Sequence, residues 1–201
     1  MSTGTLYITG DKKADALLNA NGTALLIGML LDQQVPMEWA FHGPATLKER
    51  LGHLDPKKIS LLDLDEFVAL CCTKPAIHRF PASMSKRIHE LCHIIATEYK
   101  NKGENIWIGV ADAVTLTNRL RKLPGYGEEK TQIFIALLAK RIGVQPKNWK
   151  IEAGVFSDSN TRTVADITSP ETLLLVRTWK KAEKAADRDK RSRPLLKAPK
   201  K

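Results

Sequence analysis

Leu120-Arg121-Lys122-Leu123-Pro124-Gly125-Tyr126-Gly127-Glu128-Glu129-Lys130-Thr131 is the stretch on which the reading of this chain turns. The pattern predicts a helix ending at Lys122, a tight turn holding two glycines one residue apart, and a second helix starting at once. Glycine at 125 and 127 permits positive φ and lets an anion approach the backbone without meeting a Cβ. The free amides at the start of the new helix point toward that anion, so the turn has the makings of a phosphate clamp. Two spaced glycines alone are a weak signal, because glycine also ends helices for structural reasons; flanked by two amphipathic helices and preceded by Leu-Pro, they say more.

Outward from the turn, helical periodicity dominates. Residues 83–99 space Met84, Ile88, Leu91, Cys92, Ile95 and Tyr99 by three and four, with Lys86, Arg87, His89, Glu90 and Glu98 on other faces. Residues 128–142 repeat the pattern, and residues 24–34 are apolar nearly all round, as expected of a helix in the middle of a bundle. Shorter helices are predicted over 39–41, 46–51, 64–72, 113–122 and 170–185, the last opened by Ser169-Pro170-Glu171. Prolines at 36, 44, 56, 75, 81, 124, 146 and 170 are expected between helices. Strand signals are confined to 5–9 (TLYIT) and the short 164–168. The expected fold class is all-α, a two-lobed helical bundle, without a 20- to 50-residue repeat.

The sequence has 201 residues, 43% apolar and 27% charged, a globular composition. Its longest nearly unbroken apolar run, 24–31, is far short of the roughly twenty residues a membrane-spanning helix needs, and the N-terminus lacks a signal pattern. Three cysteines, two of them adjacent, make no disulfide framework, so a cytoplasmic chain is expected. The net charge of +10 favours a polyanionic partner, but +8 of it lies in residues 177–201. The chain is therefore divided into a domain over 1–176 and a basic helix end and tail over 177–201, a solvated extension able to add salt-sensitive phosphate contacts.

Leu123-Pro124-Gly125-Tyr126-Gly127 with its flanking helices resembles the helix-hairpin-helix of the HhH-GPD superfamily of base-excision DNA glycosylases. Leu30-Leu31-Asp32-Gln33-Gln34-Val35 is similar to the glutamine stretch after an early helix in the 3-methyladenine and adenine glycosylase branches. The likeness to bacterial HhH-GPD-type repair proteins runs over nearly the whole chain, through residues 29–41 and 141–147. The resemblance implies a DNA-repair enzyme that swings a nucleotide out of duplex DNA and holds the base between two helical subdomains. It implies DNA contacts from Gly125, Tyr126, Gly127 and Lys130, and from Gln33 and Gln34 facing the space a flipped nucleotide vacates. It also implies location at the nucleoid, a monomer by default, and no required cofactor beyond a monovalent cation that hairpin carbonyls can hold.

Two family landmarks are displaced. The resemblance implies an aspartate beyond the second hairpin helix that stabilises charge developing on the sugar and activates water. Its spacing falls on Lys147, and no acid occurs between Glu129 and Glu152. The Schiff-base lysine of bifunctional members would stand two residues after Gly127, where this chain has Glu129. Lys130 comes one residue later, about 100° further round the helix, which argues for monofunctional chemistry with Lys130 on phosphate. Four groups remain as candidates for the missing role: Glu129, Asp32, Glu38 beside Trp39 (otherwise a solvent-facing helix residue), and Lys147 as a desolvated amine. Each has a structural alternative: Glu129 favoured by the helix dipole, Asp32 satisfied by amides of the turn at Val35, Lys147 at the surface. Glu38 and Trp39 are candidate pocket residues. Trp39, Tyr126, Trp107 and Trp149 are candidates to stack on a base, with Tyr126 expected to be the most exposed.

Neither the cysteines nor the histidines fall at metal-ligand spacing, and no four-cysteine motif follows Cys92, so neither a metal site nor an iron–sulfur cluster is expected. Two functions of different class follow: a monofunctional DNA N-glycosylase, or a non-catalytic DNA-binding module on the same scaffold. A protein-interaction domain ranks below both.

Overall fold

The ten residues of Gly22–Leu31 (α2) are all buried, and the rest of the fold is arranged around them. The computed structural model describes residues 5–185, and the expected basic tail from residue 186 onward lies outside the described residues. Before α2 comes α1 (Lys12–Ala20), which sequence periodicity does not reveal; Asp11 caps it by accepting the Ala14 amide. Then follow α3 (Met37–Leu51), α4 (Pro56–Ser60), α5 (Leu64–Cys72) and α6 (Pro81–Glu98). The hairpin comprises α7 (Ala113–Arg121) and α8 (Glu128–Leu137), the second continued by a π turn, Leu138–Ile142. The short α9 (Trp149–Ala153) and α10 (Pro170–Ala185) complete the described chain. The fold is all-α, with two groups of helices. α1 to α6 pack on one another, α7, α8 and α9 on one another, and α2 touches the 3-10 turn Gly103–Ile106 on the way between them.

One expectation is corrected, and the two weak strand signals form no strand among the described residues. The two short helices over 39–41 and 46–51 are one helix, α3, with Pro44 inside it. The proline sacrifices an amide bond, but Ala40, Phe41, Pro44 and Leu47 are all buried, and their packing outweighs that local cost. Among the described residues, 5–9 pair with no strand: the Thr5 amide donates to the Arg141 carbonyl, and side chains of α1 take the remaining bonds. The Asn19 carboxamide exchanges bonds with both Leu6 backbone groups, and the Asp15 carboxylate accepts the Ile8 and Thr9 amides. Residues 164–168 form a 3-10 turn, Val164–Asp166, closed by a reciprocal cap between Thr163 and Asp166. Helix α10 runs through position 177 unbroken, so the boundary expected there marks a change of charge along one helix. No single described helix is long and apolar enough to cross a membrane.

Candidate nucleic-acid interface

The turn between α7 and α8 is seated directly on the end of α2. Gly125 has φ +77°, and a Cβ placed on it would stand 2.6 Å from Leu30 Cδ1. Only glycine satisfies both the left-handed backbone and the contact. Gly127 differs: its φ is −71° and a Cβ there would meet nothing within 4 Å, so its bareness leaves the surface of the turn open.

Two side chains of the hairpin hold this seat. Tyr126, expected to be exposed, is only 3% exposed; its hydroxyl donates to the Leu26 carbonyl at 2.9 Å and its ring meets Phe134 edge-on at 5.7 Å. Burial pushes its phenol well above the usual range. Its role is therefore a core anchor, and stacking on a base is ruled out while it stays there. Lys130, expected on phosphate, donates to the Leu30 carbonyl at 2.9 Å, near the negative end of the α2 dipole.

The glutamine loop lies against the same turn. Gln33 donates to the Leu30 carbonyl at 2.8 Å and to Met84 Sδ at 3.3 Å, and accepts from Arg87 Nη1 at 3.4 Å. Both the Gln33 amide nitrogen and Arg87 Nη1 lie within 4 Å of the position a Gly125 Cβ would take. Gln34 is exposed and holds a left-handed backbone, φ 57°. Asp32 caps α2 through its backbone; its carboxylate is half-buried and, among the described residues, takes no hydrogen bond, so the expected amides near Val35 do not claim it. Glu129 is half-buried in the first turn of α8.

His78 joins this loop to the start of α6. Its Nδ1 accepts the Phe80 amide at 3.0 Å, so Nε2 carries the proton and donates to the Gln33 carbonyl at 3.0 Å. Burial lowers its pKa from the ordinary 6.5, the Gln33 and Leu31 carbonyls oppose that, and the charge of Lys130 adds to the lowering. Beside the ring stand two exposed aromatics, Trp39 at 6.3 Å and Phe80 at 6.0 Å, with the Arg79 guanidinium 5.3 Å over Phe80. Trp39 is oriented by donating its indole N–H to the Ala76 carbonyl at 3.3 Å. The assembled surface thus offers bare backbone at Gly127, cations at Arg79 and Arg87, an exposed amide at Gln34 and two aromatic faces. Such a set suits a phosphate backbone with an unstacked base.

Other candidates stand elsewhere. Lys147 exchanges backbone bonds of 2.9 Å with Ala111 and Ala113, at the open end of the hairpin, a full length of α7 away from the turn. It is exposed, and its charge helps hold the Asp112 carboxyl low behind the larger effects of the Thr115 hydroxyl and Val114 amide. That placement removes it from the group at the turn. Glu38 is claimed by an ion pair with Arg177, and Trp107 is buried against Phe134. Trp149 is half-buried with the Lys150 ammonium 5.9 Å over its ring. Cys71 and Cys92 are buried protonated thiols, the first pushed up to about 12 by burial. No cluster of three metal-ligating side chains exists among the described residues.

Sequence reasoning missed Arg87, Met84, His78 and Phe80. Arg87 and Met84 fit an amphipathic helix equally well without the hairpin, so only tertiary placement separates them from ordinary helix residues. The Phe80-Pro81 junction was a readable signal, since proline starts α6 and leaves the preceding aromatic outside it.

The sequence model of the HhH-GPD superfamily base excision DNA repair proteins matches residues 27–188, well over half of the chain. No curated protein and no solved structure matches it.

Proposed function

Because the chain belongs to the HhH-GPD superfamily of base excision DNA repair proteins, we propose that it is a monofunctional DNA N-glycosylase. In this reading it hydrolyses the bond between a flipped, damaged base and C1′ of its deoxyribose in duplex DNA, acting as a monomer in the cytoplasm, at the nucleoid. Water supplies hydroxyl to C1′, and its proton, taken up first by a carboxylate, passes on to the departing base. The observation that carries the reading is the convergence of the bare hairpin turn, the glutamine loop and the Trp39–His78–Phe80 aromatics on one surface. Arg87, Gly127 and the α8 amides hold phosphate; Gln33 and Gln34 fill the gap a flipped nucleotide leaves; Trp39 or Phe80 covers an exposed base face.

Asp32 and Glu129 are the carboxylates proposed to stabilise the cationic sugar and take the proton of water. Asp32 is the stronger candidate, with a carboxylate that has no hydrogen-bond partner among the described residues next to the glutamine that touches the turn. Lyase chemistry is not proposed, since the lysine position holds Glu129 and the Lys130 ammonium is spent on the Leu30 carbonyl. A monovalent cation at the hairpin would be held by backbone carbonyls around Gly125 and Gly127, where no side chain shields the turn, and would bridge protein to phosphate.

A second reading, a non-catalytic lesion-binding module, is favoured by one observation: the position expected to carry an aspartate is Lys147, remote from the turn. Mass spectrometry of bases released from duplexes carrying alkylated, deaminated or oxidised lesions separates the two. Release that disappears in Asp32→Asn or Glu129→Gln while duplex binding persists is the expected result. Binding with no release from any lesion would replace the enzyme by the module.

A further inference from the structure

Helix α10 meets the rest of the protein at an informative place. Arg177 forms an ion pair with Glu38, and Lys180 Nζ lies 3.7 Å from Met37 Sδ. Met37 and Glu38 are on the first turn of α3, directly after the glutamine loop and directly before Trp39. Leu173, Val176 and Trp179, spaced by three, are buried and fix the apolar face of α10. Arg177 and Lys181 are exposed on the remainder, with Lys180 half-buried between them. Between Glu171 in the first turn and the buried Glu183, the helix has no acid. Glu38, the acid on the first turn of α3 and a group that would repel phosphate there, is neutralised by Arg177.

We propose that Lys180 and Lys181 of α10, beside the Arg177–Glu38 pair, form a second phosphate-binding flank, which lies along the DNA backbone next to the aromatic surface and extends the footprint begun at the hairpin turn. This rests on the DNA-binding reading above. The partner is the phosphate backbone because the flank is cationic and meets α3 at Met37 and Glu38, directly before the exposed Trp39, and because the sequence beyond it stays basic: residues 186–201 hold seven basic and two acidic residues. Point-charge lysines suit contacts that position a duplex without reading its sequence.

The test is the salt dependence of duplex binding by the full chain, measured by fluorescence anisotropy between 50 and 200 mM salt. Each lysine that neutralises a phosphate contributes about 0.9 to the slope of log K against log salt. Lys181→Gln, at an exposed position where folding is not at stake, is expected to reduce the slope by about 0.9, and Lys180→Gln/Lys181→Gln by about 1.8, with Lys181→Arg restoring the wild-type value. An unchanged slope in Lys181→Gln, in a protein that still binds duplex, overturns the flank and leaves the glycosylase reading standing. A wild-type chain that binds no duplex at any salt overturns that reading itself. Salt-dependent binding to polyglutamate in place of duplex would assign the face to an acidic protein and refute the proposal.

Discussion

At its turn, the α7–α8 hairpin is met by side chains from three directions: Leu30 and Gln33 from the end of α2, Arg87 from α6, and His78 through the loop that Gln33 shares. At its open end it is met by backbone, in the paired bonds of Lys147 with Ala111 and Ala113 and the Asp112 cap of α7. The first end brings together groups of different chemistry, several with capacity left for a ligand. The second satisfies its own polar groups and closes. In this protein the hairpin therefore has one end where side chains gather and one that backbone closes, and the spacing expected for the catalytic aspartate falls on the second.

The hardest way to break that contrast is at Gly125. Gly125→Val forces a branched side chain onto φ +77° and into Leu30, and is expected to cost about 2–4 kcal/mol in denaturant unfolding and to remove duplex binding. Gly127→Ala, with φ −71° and open space, should leave stability within about 0.5 kcal/mol while weakening duplex affinity. Equal stability losses in the two variants would show that the turn is not seated as described.

A second test uses pH. The folded protein holds His78 neutral with a pKa below 6.5, whereas the unfolded chain protonates it near 6.5. The stabilisation is complete above 6.5 and is lost as pH falls below it toward the lowered value, because the unfolded state then binds more protons. Protonation also removes the acceptor of the Phe80 amide, so duplex affinity should fall over the same interval. In His78→Asn, whose carboxamide oxygen can replace Nδ1, that pH dependence is expected to vanish. Persistence of the full dependence in this variant would exclude His78 as its source.

The smallest effect belongs to the structural end. Lys147→Ala keeps the backbone bonds and is expected to change base release by less than about twofold. A large loss would restore Lys147 as a catalytic amine and dissolve the contrast.

Legibility in the sequence followed how local each cause was. Helices α5, α6, α7 and α10 were readable because apolar spacing and capping residues lie within each segment. α1 and the unity of α3 were not, since α1 is short and weakly apolar and α3 survives Pro44 through tertiary contacts with α1 and α2. At the site, the glycines and glutamines were visible as residue types, but the burial of Tyr126 depends on a partner a hundred residues away in sequence. The pairing of Glu38 with Arg177 spans 139 positions and leaves no trace in either neighbourhood.

Tyr126 and Lys130 take hold of the carbonyls of Leu26 and Leu30, four residues apart and so roughly 6 Å along the axis of α2. Two grips at that separation act as a splint: the hairpin can neither slide along α2 nor pivot on it without breaking one of them. In the glycosylase reading, a protein splinted in this way would be stiff where it touches its ligand, so the elastic work of kinking and opening a double helix would fall on the nucleic acid, and sites already weakened by a lesion would yield first.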